Sequence, residues 1–292
     1  MLSVVIATVD PWPQIKECLE SLTYQVGDIK IEVMVVDGHG EGLPEDQGFS
    51  GIIRMQEIGA SVFRLRALGL SKANGEIVAF TEDHCKVAPD WCKQIVDLHT
   101  AYPNVAAIGG VVENGATASL LDWVHFLIAK GPFMKPVRKG ESQSVTGQEN
   151  VSFKRKFLPK SFSKNGILQM SFNREMMRKG LKLMMSDRPV VWHVQSLGLV
   201  GTCTMHFHTG KCIAGFRRHH LSFLMWMLRL CSCMILPAFL TARTFHTVFT
   251  KKRQRLALIM GTPLLLLLTT CHTIGELMGY LFGPGASPSM VR

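Results

Sequence analysis

The stretch EIVAFTEDHC (residues 76–85) is a run of apolar residues that ends abruptly in three polar side chains. Its first five residues have the composition of a buried β-strand. Glu82, Asp83 and His84 follow this strand, so they would lie at the C-terminal edge of a sheet, where ligands bind in open α/β folds. Carboxylate and imidazole groups suit a divalent cation that holds a diphosphate. The alternative is that these residues only cap a following helix.

Apolar runs alternate with amphipathic segments over roughly the first 110 residues, a pattern typical of βαβ units around a parallel sheet. The first two predicted strands also end in polar residues, namely Thr8 with Asp10, and Asp37. Because parallel strands end at one edge, these groups should lie near Glu82 and His84 and form a functional site. Strands are predicted over residues 3–7, 31–36, 76–80 and 105–112, and helices over 13–25, 61–72 and 90–101.

The charge and cysteine content limit the classes of partner. The chain has 292 residues and a formal net charge of +10, which favours anionic partners such as phosphorylated ligands or acidic lipid head groups. No zinc-finger, RRM, KH or basic-zipper pattern is present, so we predict no nucleic-acid partner. None of the eight cysteines forms a CxxC pair, which favours free thiols in a reducing compartment.

Two long apolar stretches lie near the C-terminus, at residues 221–240 and 256–283. About 20 helical residues cross a bilayer, so the second stretch is long enough to span one. Two buried helices are the alternative interpretation. Arg229 interrupts the first stretch, which either spans the membrane, lies in its interface or re-enters.

Basic residues flank the first stretch on both sides and are expected in the cytoplasm. We therefore predict a cytoplasmic α/β domain over 1–210 and a membrane-associated helical tail over 211–292, attached to an inner or plasma membrane. Arg217 and Arg218 would bind a lipid-linked pyrophosphate or anionic head groups. His206 and His208, two residues apart, have the spacing of a strand.

Several segments resemble a known family. They are VVIATVDPWPQIKECLESLTYQ at 4–25, IEVMVVDGHG at 31–40, and RLRALGLSKANGEIVAFTEDHCKVAPDW at 64–91. In order and spacing they resemble family 2 inverting glycosyltransferases of the GT-A fold over roughly the first 110 residues. TGQENVSFKR at 146–155 and MRKGLKLMMSDRPVVWH at 177–193 are similar to later segments of that family.

The resemblance implies a nucleotide-binding set. Thr8 and Asp10 occupy the turn that contacts the base and ribose of the nucleotide. Asp37 matches the acidic residue that reads the base or ribose, and Arg66 matches an arginine beneath the nucleotide. Asp83, within the segment that follows the third predicted strand, joins this set.

The resemblance also implies a metal site for Mn²⁺ or Mg²⁺. Glu82 and His84 occupy the metal-binding Asp-x-Asp position, and His193 matches a later histidine that joins the metal or the diphosphate. The sequence departs from the family here, because the motif is Glu-x-His. Imidazole is a softer ligand than carboxylate and favours manganese-like over magnesium-like ions.

A second departure concerns the catalytic base, which must take a proton from the acceptor hydroxyl. Counting back from Gly180, the family's carboxylate falls near Leu168–Gln169, and a glutamine cannot accept that proton. Glu149, Glu175 and Asp187 are the nearby alternatives. Glu149 is favoured because its segment is the one that the family places beside the donor sugar and acceptor.

The function implied by the resemblance is transfer of a sugar, with inversion, from a nucleotide-diphosphate donor. The acceptor would be lipid-linked or another membrane-proximal saccharide, as in polysaccharide or glycolipid synthesis. Gln169 and the Glu-x-His motif keep an alternative open, a catalytically impaired, membrane-anchored subunit that binds nucleotide sugars as a scaffold.

Overall fold

The computed structural model describes residues 1–12, 14–27, 29–40, 51–159, 166 and 169–291, with only the backbone of 169–171. The chain divides into two compact units. The first comprises Met1–Gly115 and Phe133–Val194, and the second comprises Ala116–Pro132 and Gln195–Arg292. Residues 195–210, predicted with the α/β domain, therefore group with the C-terminal helices.

One mixed sheet organises the first unit. Among the described residues, nine strands pair in the order β3-β2-β1-β4-β8-β6-β9-β5, and β7 pairs with β9. The strands are β1 Leu2–Thr8, β2 Ile31–Asp37, β3 Ile52–Gln56, β4 Ile77–Glu82, β5 Cys85–Val87, β6 Val105–Asn114, β7 Gly140–Glu141, β8 Val151–Lys154 and β9 Lys182–His193.

The strands and helices predicted before residue 115 are confirmed to within a few residues at their ends, although Pro13 lies outside the described part of the chain. The helices of this unit are α1 Lys16–Thr23, α2 Val62–Lys72, α3 Trp91–Ala101 and α5 Gln169–Arg178.

The strands predicted before residue 115 all run in the same direction, as expected for βαβ units, but one strand that was not predicted runs against them. β8 lies antiparallel between β4 and β6, with Val151 opposite both Phe80 and Gly109. Parallel neighbours need a crossover connection between them, whereas antiparallel neighbours do not. The chain between β6 and β8 instead passes through the second unit, so β8 can enter the sheet in the opposite direction.

The strand directions create one polar edge. β1, β2, β3, β4, β6 and β9 all run the same way, and β8 begins where they end. We call this edge, formed by the C-terminal ends of those strands and the start of β8, the polar edge. The strands that lead to this edge are shielded from solvent, because Leu2, Ile6 and Phe80 are almost fully buried. The polar edge is therefore where the side chains that follow these strands come together and where a ligand would bind.

The second unit is helical. Its longest helices, α6 and α10, run parallel in close contact, and a Cβ added at Gly210 would strike the carbonyl of His272. His206 and His208 lie in α6, so the strand-like interpretation was wrong. The helices are α4 Leu120–Ala129, α6 Gly198–Arg218, α7 Phe223–Ser232, α8 Leu236–Lys251, α9 Arg255–Met260 and α10 Thr262–Phe282.

Within the described residues, α10 is the one continuous helix long and apolar enough to cross a membrane. The first apolar stretch is divided between α7 and the start of α8, which are bent by 71° and pass the same test only as a pair. Arg217 and Arg218 at the end of α6 hold α10, because Arg217 donates to the Tyr280 hydroxyl at 2.8 Å and Arg218 to the Leu281 carbonyl at 2.8 Å.

Candidate functional site

Three buried side chains converge at the polar edge. β5 pairs antiparallel with β9, which sets Cys85 opposite His193 and lets the Val194 amide donate to the His84 carbonyl. The Nε2 atoms of His84 and His193 are consequently 3.2 Å apart. Glu82 Oε2 lies 3.2 Å from His84 Nε2 and 4.0 Å from His193 Nε2.

These three residues fit a divalent cation. One ligand atom from each of Glu82, His84 and His193 lies within 4.8 Å of the others. Ligand bonds of about 2.0–2.2 Å set adjacent donors on one ion roughly 3 Å apart, and the separations here are of that size. A carboxylate with two imidazoles suits ions of the manganese or zinc kind better than magnesium. We call Glu82, His84 and His193 the metal cluster.

Two members of the metal cluster, Glu82 and His84, each have a second polar atom that is bonded to a buried neighbour. Arg66, on the buried face of α2, donates from Nη2 to Glu82 Oε1 at 2.8 Å. His84 Nδ1 lies 2.7 Å from Asp83 Oδ1. Thr8 Oγ1, at the end of β1, donates to Asp83 Oδ2 at 2.6 Å. Arg66, Asp83 and Thr8 were predicted as nucleotide contacts, and the structure brings all three to the metal cluster.

The carboxylates also set the charge of His84. Burial alone would lower the pKa of this imidazole, but the hydrogen bonds to Asp83 and Glu82 and their negative charges raise the pKa to about 10. The edge concentrates negative charge, which a cation would neutralise.

The remaining predicted nucleotide residues also lie at the polar edge. Asp37, at the end of β2, is buried and accepts hydrogen bonds from the His39 amide at 2.7 Å and the Gln56 side chain at 3.1 Å. These bonds fix its carboxylate, and each oxygen keeps a further lone pair for a ligand. Asp10 is buried in the turn after β1, with its amide 3.3 Å from Thr8 Oγ1.

Glu149 is buried two residues before β8, which begins at the polar edge. The Asn150 amide donates to the Gly147 carbonyl at 3.1 Å, so Glu149 lies in a turn just before the strand. The carboxylate folds back over its own turn, into the space that a side chain at Gly147 would fill. The favoured base candidate therefore shares an edge with the metal cluster.

The other base candidates lie elsewhere or cannot be compared. Asp187 is within β9, six residues before its end, and is half exposed in an ion pair with Lys139 at 3.2 Å. Glu175 is exposed on α5 and pairs with Lys179 at 2.7 Å. Gln169 begins α5, but its side chain and residue 168 lie outside the described part of the chain.

Two supporting contacts of this site were missed from the sequence. Arg66 was not expected to pair with Glu82, and Gln56 was not expected to support Asp37. A buried arginine in a helix that precedes an acidic strand end was a usable signal for the first contact. Gln56 gave no such signal, because β3 was not predicted.

Comparison with known proteins identifies one matching family and several similar structures. The family described as "Glycosyl transferase family 2" matches residues 3–162, more than half of the chain. No curated protein matches significantly. The solved structure of the mannosyltransferase PcManGT from Pyrobaculum calidifontis, in complex with GDP-Man and Mn²⁺, is similar with a TM-score of 0.61 and 17% identity, over 96% of this chain and 87% of that one.

Two structures of TarS from S. aureus also match. One has a TM-score of 0.47 at 14% identity, over 95% of this chain and 55% of that chain. The other, of TarS 1–349 in complex with UDP, has a TM-score of 0.48 at 14% identity, over 95% of this chain and 90% of that one. At these identities the similarity to PcManGT establishes a common fold.

Proposed function

Because the chain belongs to glycosyl transferase family 2, we propose that it transfers a sugar, with inversion, from a nucleoside-diphosphate donor to a lipid-linked or membrane-proximal acceptor. As a member of that family it is a glycosyltransferase of the GT-A fold that uses nucleotide-sugar donors. The polysaccharide or glycolipid product, the inversion and the membrane role are our proposal.

The metal cluster is the observation that carries this proposal. Glu82, His84 and His193 are buried together at the edge where the diphosphate of a donor would bind, and their donor atoms suit Mn²⁺. A divalent cation there would stabilise the negative charge that develops on the leaving diphosphate. The presence of Mn²⁺ and GDP-Man in the PcManGT structure supports this assignment and makes GDP-mannose the first donor to test.

We assign the nucleotide to the neighbouring strand ends. Asp37 is buried with its carboxylate held by the His39 amide and the Gln56 side chain, and Asp10 is buried with its backbone amide bonded to Thr8 Oγ1, so both suit contact with a ribose or base. The structure supports a different role for Arg66, whose guanidinium is engaged by Glu82. Glu149 is the proposed base, since it is buried at the same edge.

We further propose that the second unit attaches the enzyme to an inner or plasma membrane, with the first unit in the cytoplasm. The length and composition of α10 support a span. α7 buries none of its residues, although most are apolar. The basic segment from Lys251, the last residue of α8, to Arg255, the first residue of α9, suits anionic head groups.

A donor panel tests the proposal. The purified full chain is titrated with GDP-mannose, UDP-glucose and UDP-N-acetylglucosamine, with Mn²⁺, with Mg²⁺ or with chelator, by calorimetry. We expect one donor to bind only when the metal is present. No binding of any nucleotide diphosphate or nucleotide sugar would overturn the proposal.

A non-catalytic scaffold remains the second candidate, and Gln169 at the position of the family's base is the observation that favours it. A turnover assay separates the two functions. An enzyme releases nucleoside diphosphate when donor and membrane extract are supplied together, whereas a scaffold binds donor and releases none.

A further inference from the structure

A chain of buried hydrogen bonds runs from β1 to the metal cluster through Asp83. Thr8 Oγ1 donates to Asp83 Oδ2 at 2.6 Å, and Asp83 Oδ1 lies 2.7 Å from His84 Nδ1. All three residues are at least nine-tenths buried. An ionised carboxylate only accepts hydrogen bonds, so Nδ1 of His84 is the donor to Asp83. The other ring nitrogen, Nε2, faces Glu82 and His193.

We propose that Thr8 and Asp83 are positioning residues, which fix the tautomer and ring orientation of His84 so that its Nε2 ligates the divalent cation. The inference rests on the proposed metal site. It replaces the nucleotide-contact role that the family resemblance implies for these two residues.

The Glu-x-His motif explains why such residues are needed. An aspartate ligand has two equivalent oxygens and needs no tautomer to be chosen. An imidazole ligates through one nitrogen, which is free only when the proton sits on the other. A carboxylate that accepts the second N–H commonly fixes this choice in metal sites. Asp83 occupies that place, and Thr8 holds it from a different strand.

Glu82 has a matching arrangement that shows the same logic. Its Oε1 is held by Arg66 at 2.8 Å, which leaves Oε2 directed at the two histidines. In both Glu82 and His84, the polar atom that does not face the cation, Oε1 or Nδ1, is therefore hydrogen-bonded to a buried partner. The Thr8–Asp83 pair orients His84 in the way that Arg66 orients Glu82.

Two other roles for Asp83 make different predictions. If Asp83 acts only through its charge, its neutralisation would weaken cation binding whatever residue stands at 84, and removal of the neutral Thr8 hydroxyl would change little. If Asp83 contacts the nucleotide, its replacement would weaken donor binding and leave binding of the metal alone unchanged.

The first arm of the experiment measures Mn²⁺ binding to the full chain, without nucleotide, by electron paramagnetic resonance. Asp83→Asn should weaken Mn²⁺ affinity by about 10–100-fold, the usual effect of losing such a partner. Thr8→Val should weaken it in the same direction but less, and Thr8→Ser, which keeps the hydroxyl, should restore it. Asp97→Asn, an identical change in an exposed carboxylate on α3, is the matched control.

The second arm repeats the Asp83→Asn change in a His84→Asp background, which has no tautomer to fix. The penalty on Mn²⁺ affinity should fall to less than about 3-fold, a coupling that a double-mutant cycle measures directly. Pulsed resonance should also show weaker ¹⁴N coupling from an imidazole to Mn²⁺ in Asp83→Asn alone. If His84→Asp binds no Mn²⁺, the Thr8→Val and Thr8→Ser pair decides.

The outcomes separate this inference from the function on which it rests. A wild-type chain that binds no Mn²⁺ refutes the proposed metal site. Wild-type binding with equal affinity in Asp83→Asn and Thr8→Val refutes only the positioning role. An Asp83→Asn penalty of equal size in both backgrounds also refutes it, because the effect is then one of charge.

Discussion

The two units distribute polar and apolar side chains in opposite ways. In the first unit, bulky apolar side chains such as Trp91 and Phe80 are buried and the charged residues at its polar edge are paired. In the second unit, α7 buries none of its residues, and Phe223 and Leu224 are 77% and 68% exposed.

The interior of the second unit contains polar side chains as well as apolar ones such as Leu265 and Leu268. His125 Nδ1 lies 3.1 Å from His206 Nε2, and His272 Nε2 lies 3.4 Å from Glu276 Oε1 on the candidate span. Polar groups that hydrogen-bond between helices, with apolar residues facing out, are the arrangement expected in lipid. This contrast supports our proposal that the second unit contacts a membrane while the first unit faces water, and each half of the proposal can be tested separately.

The largest effect should follow removal of the metal cluster. Glu82→Ala combined with His84→Ala deletes two of the three ligands, so metal-dependent donor binding should be abolished. Calorimetry with Mn²⁺ or chelator measures this, and circular dichroism checks that the fold persists. Donor affinity that is equal with and without chelator in the wild type would contradict a metal role.

Loss of the base should come next. Glu149→Gln keeps the shape of the side chain but cannot accept a proton, so turnover should fall about 10²–10⁴-fold with donor affinity nearly unchanged. Glu175→Gln, in an exposed carboxylate on α5, is the matched control and should retain turnover. Full activity in Glu149→Gln would exclude it as the base.

A companion variant tests the placement of Glu149. A Cβ at residue 147 would occupy the space of the Glu149 carboxylate, so Gly147→Ala should also lower turnover. If Gln169→Glu instead raises turnover well above wild type, the chain has lost part of the usual catalytic machinery and the scaffold function gains support.

The proposed contact of α7 with a membrane predicts a smaller effect, on binding of the full chain to lipid vesicles. Phe223→Glu with Leu224→Glu places two charges on the exposed face of α7, and each charge is unfavourable in hydrocarbon. Sedimentation of the full chain with vesicles containing anionic lipid should show a severalfold lower bound fraction. Tyr24→Glu, at an exposed apolar residue of the first unit, should change nothing. Equal losses in both variants would contradict a lipid-facing α7.

The sequence predicted the polar edge well because its signals are local. A run such as EIVAF followed by Glu82, Asp83 and His84 specifies a strand and its end without reference to the rest of the chain. Asp37 follows the same rule. Parallel strands then bring these ends together by topology, so the site's location could be predicted before its contacts were known.

The side-chain contacts within the site join residues far apart in the sequence, so they could not be predicted in the same way. His84 meets His193 across a separation of 109 residues, through a pairing of β5 with β9 that no local pattern specifies. β8 is only four residues long and runs against its neighbours. The family resemblance located His193 but assigned Arg66 to the nucleotide, because a motif gives positions and not the partner that each side chain selects.

The last prediction concerns a buried histidine of the first unit. His99 Nε2 lies 2.9 Å from Ser152 Oγ, and burial, with the nearby charge of Lys154, lowers the pKa of His99 from 6.5 to about 3. Between these values the folded state keeps the ring neutral while the unfolded state binds a proton. The free energy of unfolding should therefore fall as pH drops from 6.5 towards 3, by up to about 1.4 kcal/mol per pH unit.

Denaturant unfolding of wild type and His99→Gln at pH 7, 6, 5 and 4 measures this contribution. Glutamine does not titrate and can still hydrogen-bond to Ser152, so the difference in unfolding free energy between the two proteins should shrink or reverse steadily as the pH falls. His39→Gln, at an exposed position two residues after β2, is the control for removing a histidine from the same unit. A difference that stays constant across this range would show that His99 binds its proton as readily in the folded protein as in the unfolded chain, and that burial does not lower its pKa.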